Sequence, residues 1–128
     1  MGKTTEKYLN YLKEEGYAPS LDEDGDIKFK VEGKLYFLFI DDEDEEFYKL
    51  VFPNFWSVDD EPERDKIMHA CVHAARTVKV VKVYTVRDNT WAVIEMFLAS
   101  TDDIGTIFPR SLRALQAGVQ SFVEKMRE

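Results

Sequence analysis

The stretch Leu35-Tyr36-Phe37-Leu38-Phe39-Ile40 restricts the fold of this chain more than any other segment. Side chains of a strand alternate between its two faces, so a run that is apolar at every position has no wet side. Such a strand belongs inside a sheet, covered on both faces. Trp91–Leu98 repeats the pattern, because Trp91, Val93, Ile94, Met96, Phe97 and Leu98 are apolar at both parities. Two strands of this kind in 128 residues call for helices on both sheet faces, or for a partner surface.

The flanking segments supply the rest of the sheet. Ile27, Phe29 and Val31 alternate with Lys28, Lys30 and Glu32, which gives one buried and one wet face. A tight turn at Glu32-Gly33-Lys34 leads into the Leu35 strand, and Phe47–Trp56 returns as a third strand ending near Pro53. A second hairpin joins Val78–Val86 to Thr90–Ala99 around Asp88-Asn89. Three helices complete the order. The first runs from Thr5 to Glu15, with Thr4 or Thr5 as cap, Tyr8, Leu9, Tyr11 and Leu12 as its stripe, and a stop at Gly16-Tyr17 before Pro19. The second runs from Asp59 to Arg76, with acids and Pro62 at its start and Ile67, Met68, Cys71, Val72, Ala74, Ala75 and Val78 on one side. The third starts between Asp103 and Pro109 and runs to the end, with Leu112, Leu115, Val119, Phe122, Val123 and Met126 at three-four spacing. The order α-β-β-β-α-β-β-α predicts a single α+β domain with one antiparallel five-stranded sheet packed by helices.

Charge narrows the function. Against 25 Asp and Glu stand 17 Lys and Arg, a net −8, which disfavours nucleic acid and anionic membrane surfaces. Six of those eight charges sit in the run Asp41–Glu46, whose mutual repulsion and low strand propensity make it a loop. No apolar run approaches the roughly 20 residues of a membrane span. The N-terminal residues show no apolar core of a signal peptide, so the expected location is cytoplasmic. With Cys71 as the only cysteine, neither an internal disulfide nor a cysteine-rich zinc site can form.

Candidate chemistry is sparse. His69 and His73 stand four apart on the middle helix, a spacing that can present two imidazoles to one metal. Ala70 occupies the place of a zinc protease's glutamate, and both histidines project away from the Ile67/Cys71/Ala74 side, as solvated or interface residues do. Asp22-Glu23-Asp24-Gly25-Asp26 begins like a calcium loop, yet Ile27 falls where the glycine is required and Gly33 where the bidentate glutamate is. It reads better as a turn, and Asp41–Glu46 as a solubilising loop, or else as a cation or docking site. Cys71 shares a buried helix face, where a thiolate is disfavoured. No Gly-x-Ser-x-Gly elbow and no glycine-rich phosphate loop occurs. Arg110 and Arg113 lie in the first turns of the last helix, where the dipole disfavours cations. Pairing with Asp102 and Asp103 is the expectation, and an anionic partner the alternative. The chain reads as a non-enzyme, with no catalytic residue, cofactor or metal assigned.

A resemblance adds to this reading. Glu14-Glu15-Gly16-Tyr17, then Asp24-Gly25-Asp26-Ile27-Lys28-Phe29-Lys30-Val31-Glu32-Gly33, then Leu35-Tyr36-Phe37-Leu38, resemble the YbjN-like family, described as bacterial sensory transduction regulators. The Val78–Val86 and Trp91–Leu98 hairpin with its closing amphipathic helix is similar as well. These motifs mark a fold more than a site. The implied fold is like that of type III secretion chaperones: small, acidic, cytoplasmic, usually homodimeric proteins that bind segments of other proteins. The resemblance thus implies a non-enzymatic protein- or peptide-binding module acting as a homodimer, with the middle helix as the first candidate for the dimer interface. Tyr36, Leu38, Phe52 and Trp91, apolar residues on sheet strands, are the candidate peptide contacts on the expectation that they face outward. The alternative is a ligand- or metal-responsive regulator using loop 41–46 or the His69/His73 pair.

Overall fold

The computed structural model describes residues 2–128. It is an α+β domain in the order α1 (Lys3–Glu14), β1 (Ser20–Leu21), β2 (Ile27–Val31), β3 (Lys34–Phe39), β4 (Phe47–Phe52), α2 (Glu61–Thr77), β5 (Val81–Val86), β6 (Asn89–Phe97) and α3 (Ile104–Met126). The strands form one antiparallel sheet of six, ordered β1-β2-β3-β4-β6-β5. The strand beyond the expected five is β1, two residues opposite Ile27 and Lys28, too short to show any alternation.

Local chemistry explains the stops and turns. α1 ends in a paired closure: Tyr17 N–H donates to the Leu12 carbonyl and Gly16 N–H to that of Lys13, with Gly16 at φ +86. Its start is not capped by a threonine. Gly2 holds the cap position, and Thr5 is buried within the first turns. The β2–β3 turn is Glu32-Gly33, both at positive φ, the two-residue geometry that suits strand twist. The second hairpin turns at Arg87-Asp88, one residue earlier than expected, because Val86 pairs with Asn89. The Asp60 carboxylate accepts from Glu63 N–H at 2.8 Å and caps α2.

All three helices pack on the same side of the sheet. The core joins Tyr8, Leu9 and Leu12 of α1, Ile67, Ala70, Cys71 and Ala74 of α2, and Phe108, Leu112, Leu115 and Phe122 of α3 to Ile27, Phe29, Tyr36, Leu38, Tyr48, Leu50, Phe52 and Ile94. Phe108 meets Tyr11, Tyr17 and Phe29 edge to face at 5.5 to 5.7 Å. Tyr48 and Ser111 share a 2.6 Å hydrogen bond, and the Ser111 hydroxyl donates to the Phe108 carbonyl. Gly118 lets α3 approach β5 so closely that a Cβ there would lie 2.8 Å from a methyl of Val81. β3 is therefore interior to the sheet, as expected, but covered by helices on one face only.

Candidate functional site

The uncovered face follows from register. Phe37 pairs with Val51 and Val51 with Val93, which sets Leu35, Phe37 and Phe39 of β3, Phe47, Lys49 and Val51 of β4, and Trp91, Val93, Glu95 and Phe97 of β6 on the side away from the helices. A sheet face left to solvent is usually polar. Here Val51 and Val93 are fully buried although no helix lies over them. Their neighbours close above them, as Phe39 reaches Trp91 edge to face at 6.0 Å and Phe37 at 5.8 Å. The Trp91 indole N–H donates to Asn54 Oδ1 at 3.0 Å, which fixes the ring. Lys49 Nζ stands 5.4 Å from the centre of the Phe39 ring. Phe97, 76% exposed, leans on Phe47 at 6.0 Å, and Leu35 is exposed at the opposite end. Lys28 and Lys30 of β2 and the Lys82–Glu95 pair at 2.8 Å frame this aromatic surface.

Of the four expected contacts, only Trp91 lies on it. Tyr36, Leu38 and Phe52 face the helices and are buried, so the expectation that they point outward is corrected. Tyr36 pairs with Phe29 and Leu38 with Ile27, and directly paired residues share a face. The signal was present in the Glu32-Gly33 turn. It pairs Val31 with Lys34 and thereby assigns the even positions of β3 to the core and Leu35, Phe37 and Phe39 to the outside.

A second exposed surface lies on α2. Met68 and Val72, expected on its packed side, are 48% and 56% exposed one turn apart. They line a shallow depression of about 360 Å³ with His69, His73, Arg76 and Lys125. The reason is angular: α3 and β5 take up the side of α2 that carries Ile67, Ala70, Cys71 and Ala74, and they leave the neighbouring stripe with Met68 and Val72 largely exposed. His69 Nδ1 is 2.8 Å from the Asp65 carbonyl, which makes it the protonated nitrogen and leaves Nε2 outward. Burial pushes the Cys71 thiol up to about 11, against any role as nucleophile.

The acidic segments are turn builders. Asp22 accepts from the Asp24 and Asp26 amides at 2.9 Å each, and Asp26 accepts from Ile40 N–H at 2.8 Å. Burial raises the Asp26 carboxyl above its ordinary range, against the opposing pull of the Ile40 hydrogen bond. Asp22, Asp24 and Asp26 are the three-carboxylate cluster found among the described residues. Loop 41–46 is exposed throughout, with Asp41 and Asp44 accepting from the loop's own amides at 3.0 and 3.2 Å. The expected pairing of Arg110 and Arg113 with Asp102 and Asp103 does not form: Lys7 holds Asp102, and neither arginine is in an ion pair among the described residues. No helix among those residues is long and apolar enough to cross a membrane. No protein-family model matches the chain, and no curated protein matches it in sequence.

Proposed function

We propose that this chain is a non-enzymatic protein-binding module, chaperone-like or regulatory, that works as a homodimer in the bacterial cytoplasm and holds an apolar segment of another protein against its open sheet face. The observation that carries the reading is that face: aromatic side chains of three adjacent strands stand outside a domain whose helices are all committed to the other side. The net charge of −8 and the resemblance to YbjN-like and secretion-chaperone-like proteins agree with it. In the dimer, the exposed stripe of α2 would meet its own copy.

The test compares binding to immobilised peptides that scan apolar protein segments, for the native chain and for Phe37→Ser/Phe97→Ser. Saturable binding by the native chain that falls at least about tenfold in the variant supports the reading, since fully buried aromatic anchors each carry ~2 kcal/mol or more. Equal binding by both, with circular dichroism showing both folded, refutes it.

A further inference from the structure

On the helical side, a slot of about 390 Å³ opens between α3 and the sheet end where β5 begins. Its walls are mostly apolar: Ile107 and Ala114 of α3 face Ile94 and Met96 of β6, and the Thr106 side chain of the lining is exposed. Ser111 lies on the floor but is satisfied from within, bonded to Tyr48 and donating to the Phe108 carbonyl. Below the mouth, therefore, nothing calls for a polar ligand group.

The mouth is different. Lys79 and Arg110, both exposed, line it, and no carboxylate does, in a chain where acids outnumber bases by 25 to 17. Neither cation is in an ion pair among the described residues. Beside Lys79, Val80 is held at φ +72 and is 56% exposed, a strained conformation for a β-branched residue.

We propose that this slot binds a medium-chain carboxylate, with its acyl chain between Ile107, Ala114, Ile94 and Met96 and its carboxylate between Lys79 and Arg110. Size agrees. At roughly 30 Å³ per non-hydrogen atom, the share a water takes in the liquid, the slot holds about a dozen such atoms, the size of decanoate. The volume also falls in the ordinary range of small-ligand sites. The site lies on the opposite side of the sheet from the aromatic face, so it stands or falls independently of partner binding there.

The probes are decanoate, decanol and decyltrimethylammonium, the two ions below their micelle concentrations and decanol below its solubility limit, followed by amide NMR on the full chain. The expected result is saturable one-to-one binding of decanoate, with the largest shifts at Lys79–Val80 and Ile107–Ala114. Decanol should bind about tenfold more weakly, since charge-assisted hydrogen bonds at the head are lost, and the ammonium probe should not enter. Lys79→Gln/Arg110→Gln, two exposed positions, should reduce decanoate to the affinity of decanol and leave decanol unchanged. Ala114→Trp should close the slot to decanoate and decanol alike. Should that variant fail to fold, the glutamine pair decides alone. Equal affinity for decanoate and decanol, shifts centred on Phe37 and Trp91, or no saturable binding would each overturn the proposal.

Discussion

Glycines show how differently single positions are constrained. Gly118 sits in α3 with Val81 beneath it, and an added Cβ would fall 2.8 and 2.9 Å from the two Val81 methyls. Valine is stiff about its first side-chain torsion, so it cannot swing away. Gly118→Ala should destabilise the domain by about 1–3 kcal/mol, overpacking outweighing the gain in helix propensity. Gly105, on the same helix, would place a Cβ at an ordinary 3.6 Å from the Tyr11 ring, and Gly105→Ala should be neutral or stabilising by up to about 1 kcal/mol. Urea denaturation of both variants checks the contrast, and equal effects would refute it. A second residue-scale prediction concerns alkali. Tyr8 is buried with an unpartnered hydroxyl, and burial pushes its phenol up to about 12. A folded-state value above the ordinary one near 10 makes this group stabilising below pH 10, and the contribution is lost as pH rises from 10 toward 12. Tyr8→Phe should therefore shift the onset of alkaline unfolding to higher pH, read by tryptophan fluorescence across a pH titration. Gly16 and Gly33 were legible in the sequence because their turns are local. Gly118 was not, because its reason is a valine from another element.

At the scale of elements, the sequence specifies which segments are strands and helices better than which side each strand presents. β3 is apolar at both parities, so hydrophobicity alone leaves its orientation undecided, and Tyr36 and Leu38 are as good outward candidates as Phe37 and Phe39. Only the register imposed by Glu32-Gly33 breaks the tie. α2 carries the same ambiguity, since its packed side holds small residues apart from Ile67, while Met68 and Val72, as apolar as Ile67, are put outside by the geometry. Mutation separates the two faces. Leu38→Ala should cost about 2–5 kcal/mol, as a fully buried leucine does, whereas Phe97→Ser should stay within about 0.5 kcal/mol of the native chain. Thermal unfolding of the pair tests the assignment, and a large loss for Phe97→Ser would mean that the outer face is structural. For the histidines, His69 and His73 are outside the cluster of three donors found among the described residues. Two imidazoles without a third protein ligand make a poor zinc site, so saturating zinc should leave Tm unchanged. A rise in Tm that is lost in His69→Ala would support the metal-responsive reading instead.

For the molecule as a whole, the charge of −8 resolves into a local feature and a nearly balanced remainder, because all six acids of loop 41–46 are exposed and the Asp41 and Asp44 carboxylates accept from the loop's own amides. What matters for self-association is thus the pattern on particular surfaces. The exposed stripe of α2 reads Asp65, His69, Val72, Arg76, at spacings of four, three and four. That order is antisymmetric in charge about its midpoint. Two copies of α2 crossing antiparallel about a two-fold axis would set Asp65 opposite Arg76 of the other copy at both ends, with Val72 and Met68 between, the self-complementarity that an isologous interface requires. The proposed homodimer therefore makes a sharp prediction. Light scattering at micromolar concentration should return a dimer for the native chain and a monomer for Asp65→Arg, which places four cations around the axis. Asp65→Arg/Arg76→Asp reverses both ends, restores opposite signs and should recover the dimer. Since all four positions of the stripe are exposed, neither variant should move Tm of the monomer by more than the small amounts typical of surface changes. A native chain that stays monomeric removes the dimer from the proposed function, and a charge swap that fails to rescue removes α2 as its interface.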